Sequence, residues 1–283
     1  MKIGLHVSIA GGIFNAPLNA ATLGCETFQM FTRSPRGGPA PKLTPEIVKQ
    51  FKLNMTAKSL KTCYVHAPYY INFASTNNRI RYGSSSAIRD ELERSSLLGV
   101  TALMTHLGSA KDSDETTARQ AVVTGLLKAL DGYHGGSQFL IEIAAGSGMI
   151  LGSSFEEIAY YIKEIEKKDK RLKNKIGVCL DTCHAFAVGY DLRTAAGVNK
   201  TLKSFEAVIG LKRLRLIHAN DSLTELGSRR DRHAHIGEGE IGTAGFQALV
   251  QNPKLKNIDL IIETHHDGKE KTDLAILKRL RKS

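Results

Sequence analysis

Eight short apolar runs recur along the chain, at residues 3–8, 27–32, 63–69, 102–108, 138–145, 176–184, 214–222 and 259–265. Segments with helical apolar spacing separate them, for example residues 84–98 and 153–166. Runs this short, rich in β-branched and aromatic residues, read as buried strands. Thr44-Pro45-Glu46 opens one helix, with a threonine N-cap and a proline at the first position, where its missing N–H is not needed. A strand followed by a helix, repeated eight times, calls for parallel strands joined by crossover helices. Eight such units in 283 residues predict an α/β protein, a (β/α)8 TIM barrel with its active site at the C-terminal face of the strands. A doubly wound open sheet is the alternative. No low-complexity linker or composition shift divides the chain, so residues 1–283 are read as one domain.

Composition narrows the class. Hydrophobic residues at 42% and charged residues at 24% suit a globular protein and exclude collagen-like, mucin-like and disordered chains. No run approaches ~18 consecutive apolar residues, so no membrane span is expected. Residues 1–8 lack the apolar core and cleavage site of a signal peptide, which points to the cytoplasm, with nucleoid association in a prokaryote. Lys+Arg 39 against Asp+Glu 28 leaves a net charge of +11, a balance that favours polyanionic partners such as nucleic acid. Cys25, Cys63, Cys179 and Cys183 form neither a zinc knuckle nor a disulfide framework and read as buried thiols. The lysines of residues 163–175 read as a solvated helix face with its loop, and residues 269–283 as a terminal helix.

The most informative pattern is positional. Strands buried on both faces should be continuously apolar. Here strand three ends in His66 and strand four in His106. Strand five carries Glu142, strand six Asp181 and His184, strand seven His218, and strand eight Glu263. In a barrel these ends meet on one face. Alternation puts Glu142 on the face of Leu140 and Ala144, with Phe139, Ile141 and Ile143 turned toward the helices. A carboxylate in a barrel mouth must be paired or bound to metal, and converging histidines and carboxylates suit Zn, Mn or Fe. In the long loop after strand seven, Asp231 and His233 stand two apart and, with His184, suggest a second, separate site. Arg229, Arg230 and Arg232 beside them add phosphate-seeking charge.

These residues resemble the endonuclease IV family of apurinic/apyrimidinic (AP) endonucleases. The longest match runs Gly177-Val178-Cys179-Leu180-Asp181-Thr182-Cys183-His184-Ala185-Phe186-Ala187-Val188-Gly189-Tyr190-Asp191. His218-Ala219-Asn220-Asp221-Ser222, the segment Asp231 to Gly239, the opening Gly4 to Gly12 and His66-Ala67-Pro68-Tyr69-Tyr70-Ile71-Asn72 extend the likeness over the whole chain. The resemblance implies three zinc ions in the barrel mouth. Position by position, His66 and His106 would hold one, Asp181, His218 and Glu263 a second, and His184, Asp231 and His233 a third. Glu142 would bridge the first two and act as the catalytic carboxylate. Arg36, Tyr69 and Tyr70 would enter the damaged duplex, with Arg230 and Arg232 as further DNA contacts. Three places depart from the common pattern: glycine follows Arg36 where many members have an aromatic residue, Tyr70 stands for leucine, and strand five continues Ile143-Ala144-Ala145. In addition, strand eight is followed by Thr264-His265-His266 rather than Thr-Pro.

The implied activity is hydrolysis of the phosphodiester 5′ to an abasic site in double-stranded DNA. It leaves a 3′-hydroxyl and a 5′-deoxyribose phosphate, with removal of 3′-blocking groups as a further activity, in a monomer. A metal cluster suits that chemistry because it activates water, neutralises the phosphate oxygens and stabilises the departing alkoxide. Two rivals remain at this point: a metal-dependent sugar isomerase or epimerase on the same barrel, and a non-catalytic DNA-binding protein. The Asp231/His233 pair and the +11 charge weigh against the first, and the intact ligand positions against the second.

Overall fold

The computed structural model describes residues 1–265 and 267–282; His266 and Ser283 lie outside them. Ten strands are described: β1 (Ile3–His6), β2 (Thr27–Met30), β3 (Cys63–His66), β4 (Ala102–Thr105), β5 (Gln138–Glu142), β6 (Ile176–Asp181), β7 (Leu214–His218), β8 (Asp221–Ser222), β9 (His233–Ala234) and β10 (Asp259–Ile262). Eight of them form a closed parallel barrel, β1 through β7 in order with β10 returning to β1. The Ile3↔Leu260 and Ile261↔His218 registers seal the ring, which excludes the open-sheet alternative. The small β8–β9 ribbon is antiparallel and lies outside the barrel.

Nine α-helices are described: α1 (Ala16–Leu23), α2 (Pro45–Ala57), α3 (Asn78–Leu98), α4 (Glu115–Leu130), α5 (Phe155–Lys168), α6 (Thr182–Ala187), α7 (Ala195–Val208), α8 (Gly242–Val250) and α9 (Glu270–Lys282). The expected cap of α2 is in place. Thr44 Oγ1 accepts from Ile47 N at 3.4 Å, and Pro45 occupies the first turn. Helix α3 starts at Asn78, before the apolar periodicity begins, because Asn77 Oδ1 accepts from Arg79 N at 2.9 Å. All four cysteines are buried and free. Among the described residues no helix is long and apolar enough to cross a membrane.

The strands are shorter than the apolar runs, always at their C-terminal ends. The clearest difference is β6, whose apolar run extends to His184. The strand stops at Asp181, whose carboxylate accepts from His184 N at 2.8 Å and so caps α6. The polar residue that closes the strand therefore opens the next helix.

The core has two layers. Phe28, Ile141, Val178 and Ile217 belong to the large cluster between strands and helices. Inside the barrel a second cluster gathers Tyr64, Met104, Leu140, Cys179, Leu216 and Ile261. Below it, toward the N-terminal ends, Asp259 takes hydrogen bonds from Tyr64 Oη (3.0 Å), Thr62 Oγ1 (2.9 Å) and Lys2 N (2.9 Å). That buried carboxylate is satisfied, and the barrel is stoppered on this side. At Gly4 a Cβ would fall 1.7 Å from the Thr27 carbonyl oxygen, so β1 can approach β2 only with glycine there.

Helix α9 buries Leu274, Leu277 and Leu280 and ties the end of the chain to its start. Arg281 donates to both carboxylate oxygens of Glu26, at 2.7 and 2.8 Å, while Glu26 also accepts from Ile3 N at 2.9 Å. Partial burial raises the Glu26 carboxyl, but Arg281 and the Ile3 amide outweigh it and hold it below the ordinary range. A depressed folded-state value stabilises above the unfolded pKa of about 4.3 and is lost as pH falls through the folded value. Glu26→Gln should therefore lower stability by about 1 kcal/mol at neutral pH. Urea denaturation should show the gap to the parent closing below about pH 4.

Candidate metal centre

Alternation along the strands builds the site. Tyr64, Met104, Leu140, Cys179, Leu216 and Ile261 fill the barrel interior. Two residues beyond each stand His66, His106, Glu142, Asp181, His218 and Glu263. A step of two keeps a side chain on the inward face and moves it toward the C-terminal rim. The six side chains therefore form a tier above an apolar floor.

Glu142 occupies the middle of that tier and is 1% exposed. Its Oε2 lies 3.0 Å from His66 Nε2, and its Oε1 lies 3.0 Å from His218 Nδ1, 3.6 Å from His106 Nε2 and 3.7 Å from His184 Nδ1. Glu263 Oε2 is 3.0 Å from His218 Nδ1. Asp231 reaches in from the loop, with Oδ2 3.2 Å from His184 Nε2 and Oδ1 3.3 Å from His233 Nε2. The structure corrects one expectation here, because His184, Asp231 and His233 are not a separate site. Asp181 Oδ2 lies 3.7 Å from His233 Nε2 and 3.9 Å from His218 Nδ1, joining both groups into one cluster.

The donor geometry fits metal ions. His66, His106 and Glu142 offer ligand atoms within 4.8 Å of one another, and so do Glu142, Asp181, His218 and Glu263, with Glu142 common to both sets. Four imidazoles have one nitrogen fixed from behind, leaving the other facing the centre. His66 Nδ1 meets the Ala67 carbonyl at 2.6 Å, His184 Nδ1 that of Ile143 at 3.0 Å, and His233 Nδ1 that of Glu263 at 3.3 Å; His218 Nε2 meets Gln29 Oε1 at 2.8 Å. Histidine ligands are ordinarily oriented this way. Meanwhile His184 Nε2, His233 Nε2 and His106 Nδ1 are buried with no hydrogen-bond partner, the first two despite lying beside the Asp231 oxygens. Buried polar atoms are rarely left so unless an ion or water satisfies them. Cys183 lies near Asp231 and His233, but burial pushes its thiol up to about 12, and it reads as a packing residue.

The electrostatics agree. Burial opposes ionisation of Glu142, yet His106 and His218 hold its carboxyl well below the usual range. Burial likewise disfavours protonated His184, but Asp181 and Asp231 raise it to about 10. Asp231 is held down to about 2, against burial, by His184 and His233.

The cluster opens into a cleft of about 920 Å³. Tyr69 and Arg232 line it. Tyr69 is 69% exposed, and its ring meets Phe31 edge-on at 5.3 Å. Tyr70 is 38% exposed and stands outside the lining, beside Gly37. Arg36 and Arg230 are exposed on the surrounding loops. The loop bearing Asp231 is firmly held. It pairs Ser222 with His233 in the ribbon, and buried Asp221 accepts from the amides of Ser222, Gly237 and Ile241 at 2.8, 2.9 and 2.9 Å.

With this geometry in hand, comparison with known proteins is decisive. Residues 18–282 match the family described as xylose isomerase-like TIM barrel. A probable endonuclease 4 from Campylobacter concisus is 38% identical, over 99% of this chain and 98% of that protein. Endonuclease IV from Thermus thermophilus superposes with a TM-score of 0.87 at 33% identity, covering 100% of this chain and 99% of that one. The chain belongs to the endonuclease IV family. A D-tagatose 3-epimerase-like protein also superposes, at TM-score 0.71 and 21% identity over 100% of this chain and 96% of that one, and shares the barrel.

Several site residues of this endonuclease IV family member escaped the reading of its sequence. Gln29, fully buried, bridges His218 to Glu263, and its Nε2 meets His6 Nδ1 at 3.0 Å. Asn220 donates to Asp181 Oδ2 at 2.6 Å and accepts from Glu263 N at 2.8 Å. The available signal was the same as for the ligands: a polar residue at an inward position of an apolar run. His266, one of the departures from the family pattern, lies outside the described residues. Imidazoles and carboxylates bind a metal ion only in their deprotonated forms, so binding of a divalent metal ion here should release protons. Calorimetric titration in two buffers of different ionisation enthalpy should show a buffer-dependent heat; identical heats would contradict this arrangement.

Proposed function

We propose that this chain is a zinc-dependent AP endonuclease. It would hydrolyse the phosphodiester 5′ to an abasic site in double-stranded DNA, leaving a 3′-hydroxyl and a 5′-deoxyribose phosphate, and would also remove 3′-blocking groups. The observation that supports this most is the shared position of Glu142. It belongs to both inner ligand groups, and the His184–Asp231–His233 arm lies beside them. Three zinc ions would be held by His66 and His106, by Asp181, His218 and Glu263, and by His184, Asp231 and His233, with Glu142 between the first two. Such ions supply Lewis-acid stabilisation of a phosphodiester and activate water.

The chain's own residues do the rest. Glu142 sits at the centre of the donors, where a carboxylate compensates the positive charge that the cluster gathers. Gln29 and Asn220 hold His218, Asp181 and Glu263 in register. An abasic nucleotide leaves a duplex with the least unstacking, so a cleft that accepts only an extruded sugar phosphate selects damage. Tyr69 stands at the mouth to fill the space vacated in the stack, with Arg36 and Tyr70 on the adjoining loops. Arg230 and Arg232 are exposed at the same rim and suit backbone phosphates. The fold alone would also suit a sugar epimerase, but the DNA reading accounts for the Asp231 arm and the basic rim.

Nicking of an abasic duplex tests this directly. Activity should disappear on chelation and return with zinc, at about three ions per chain. Glu142→Gln should fold normally and lose at least about a hundredfold in kcat. Near-parental turnover would remove Glu142 from its assigned place. Binding should weaken linearly on a log–log plot against salt, with a slope of about −0.9 per phosphate contact. A flat response would argue against DNA.

A further inference from the structure

The loop between β2 and α2, residues 31–44, carries Arg36, and a charged network on α3 grips it from the side. Glu91 is fully buried there. It accepts from Thr32 Oγ1 at 2.7 Å and pairs with Arg33 Nε, while Asp90 accepts from Nη2 of the same guanidinium. Arg94, also buried, donates Nε to Thr32 Oγ1, Nη2 to the Thr32 carbonyl and Nη1 to the Pro41 carbonyl, each at 2.8 Å. The loop is thus clamped at both ends, at residues 32–33 and at 41. Between the clamps its backbone is tied to its own turn and to the tyrosine segment. Gly37 N donates to Ser34 O at 3.3 Å, and Tyr69 N donates to Pro35 O at 3.0 Å. A Cβ on Gly37 would stand 4.0 Å from Tyr70 Cδ1.

The ring itself is closed by the pairings of β1 with β2 and β10 and of β10 with β7, in which none of these residues takes part. Ion pairs removed from water are poor sources of stability, and apolar side chains of similar volume pack as well or better. What directed, multidentate pairs supply is a unique geometry. Here that geometry is the placement of the Arg36 loop against Tyr69 and Tyr70. Neither Glu91 nor Arg94 contacts a residue of the ligand cluster or lines the cleft; they reach the cleft wall only through the loop they hold, whose Arg33, Ser34 and Pro35 line it, so their influence passes through the placement of that loop.

We propose that Glu91 and Arg94 are positioning residues that pre-form the Arg36–Tyr69–Tyr70 surface and thereby set the affinity for abasic duplex while leaving the rate of bond breaking unchanged. This rests on the AP endonuclease reading above. A loop ordered in advance loses less freedom on binding, which appears as a lower KM.

The test compares the zinc-loaded parent with Glu91→Gln and Arg94→Lys. Each variant should raise KM for an abasic duplex about tenfold with kcat within about twofold. Anisotropy with the chelated protein should show the same loss in affinity for a duplex holding a tetrahydrofuran abasic analogue. Trypsin should cut faster after Arg36 in both variants, at unchanged zinc content. If kcat falls while KM holds, or zinc is lost, the network serves the metal centre and the proposal is overturned. Unchanged KM and unchanged trypsin cutting, or failure of both variants to fold, would reduce the network to a packing feature and overturn it equally. If the parent nicks no abasic duplex, the functional reading fails instead. The trypsin comparison then still reports whether the loop depends on Glu91 and Arg94.

Discussion

Everything at the active face depends on one geometric constraint, that a closed parallel barrel points every second side chain of each strand at a common axis. Tyr64, Met104, Leu140, Cys179, Leu216 and Ile261 meet there because they have no other place to go. Once that layer is filled, the next inward position on each strand must lie directly above it. His66, His106, Glu142, Asp181, His218 and Glu263 take those positions, although up to 197 residues (263 minus 66) separate them in the chain. Were the ring open between β10 and β1, the same side chains would be distributed along a twisted edge.

That geometry explains why so polar a cluster is tolerated in a protein interior. Four carboxylates lie among five imidazoles, most of them screened from solvent. Each charge is stabilised by its neighbours at about 3 to 4 Å, and the low-dielectric surroundings strengthen those attractions. The carbonyls of Ala67, Ile143 and Glu263, and the Gln29 amide, fix the imidazoles from behind. These contacts fix the orientation of each imidazole, as the outer contacts of histidine ligands ordinarily do. The acidic interior also contrasts with the +11 charge of the whole chain, which places the excess cations on the outside, where a polyanion approaches.

The loops are built by a second use of buried charge. Asp221 gathers the amides that follow the β9 ribbon and so delivers Asp231 and His233 to the cluster. Glu91 and Arg94 do the corresponding work for the loop of Arg36. In both cases a buried side chain on one element satisfies polar groups of a neighbouring loop, which gives an irregular segment one preferred course.

The alternation of strands and helices, the cap at Thr44 and the ligand-type residues at strand ends were all legible in the sequence, because each depends on local spacing. Period two told which of residues 138–145 faced inward, and repeated Val, Ile and Leu told which runs were buried. That the strand-end donors meet on one face followed from the barrel expectation, but their individual contacts were not legible. That Asp181 both caps α6 and joins His233 to His218, that Gln29 reaches His218 from β2, and that Glu91 holds a loop residue 58 positions away depend on which side chains the closed barrel makes neighbours. Hydrogen bonds and ion pairs act over a few ångströms of space, irrespective of separation along the chain. The sequence alone therefore determined the strand–helix rhythm and the donor types, while tertiary closure decided which donors share a centre and which buried charges hold the loops around it.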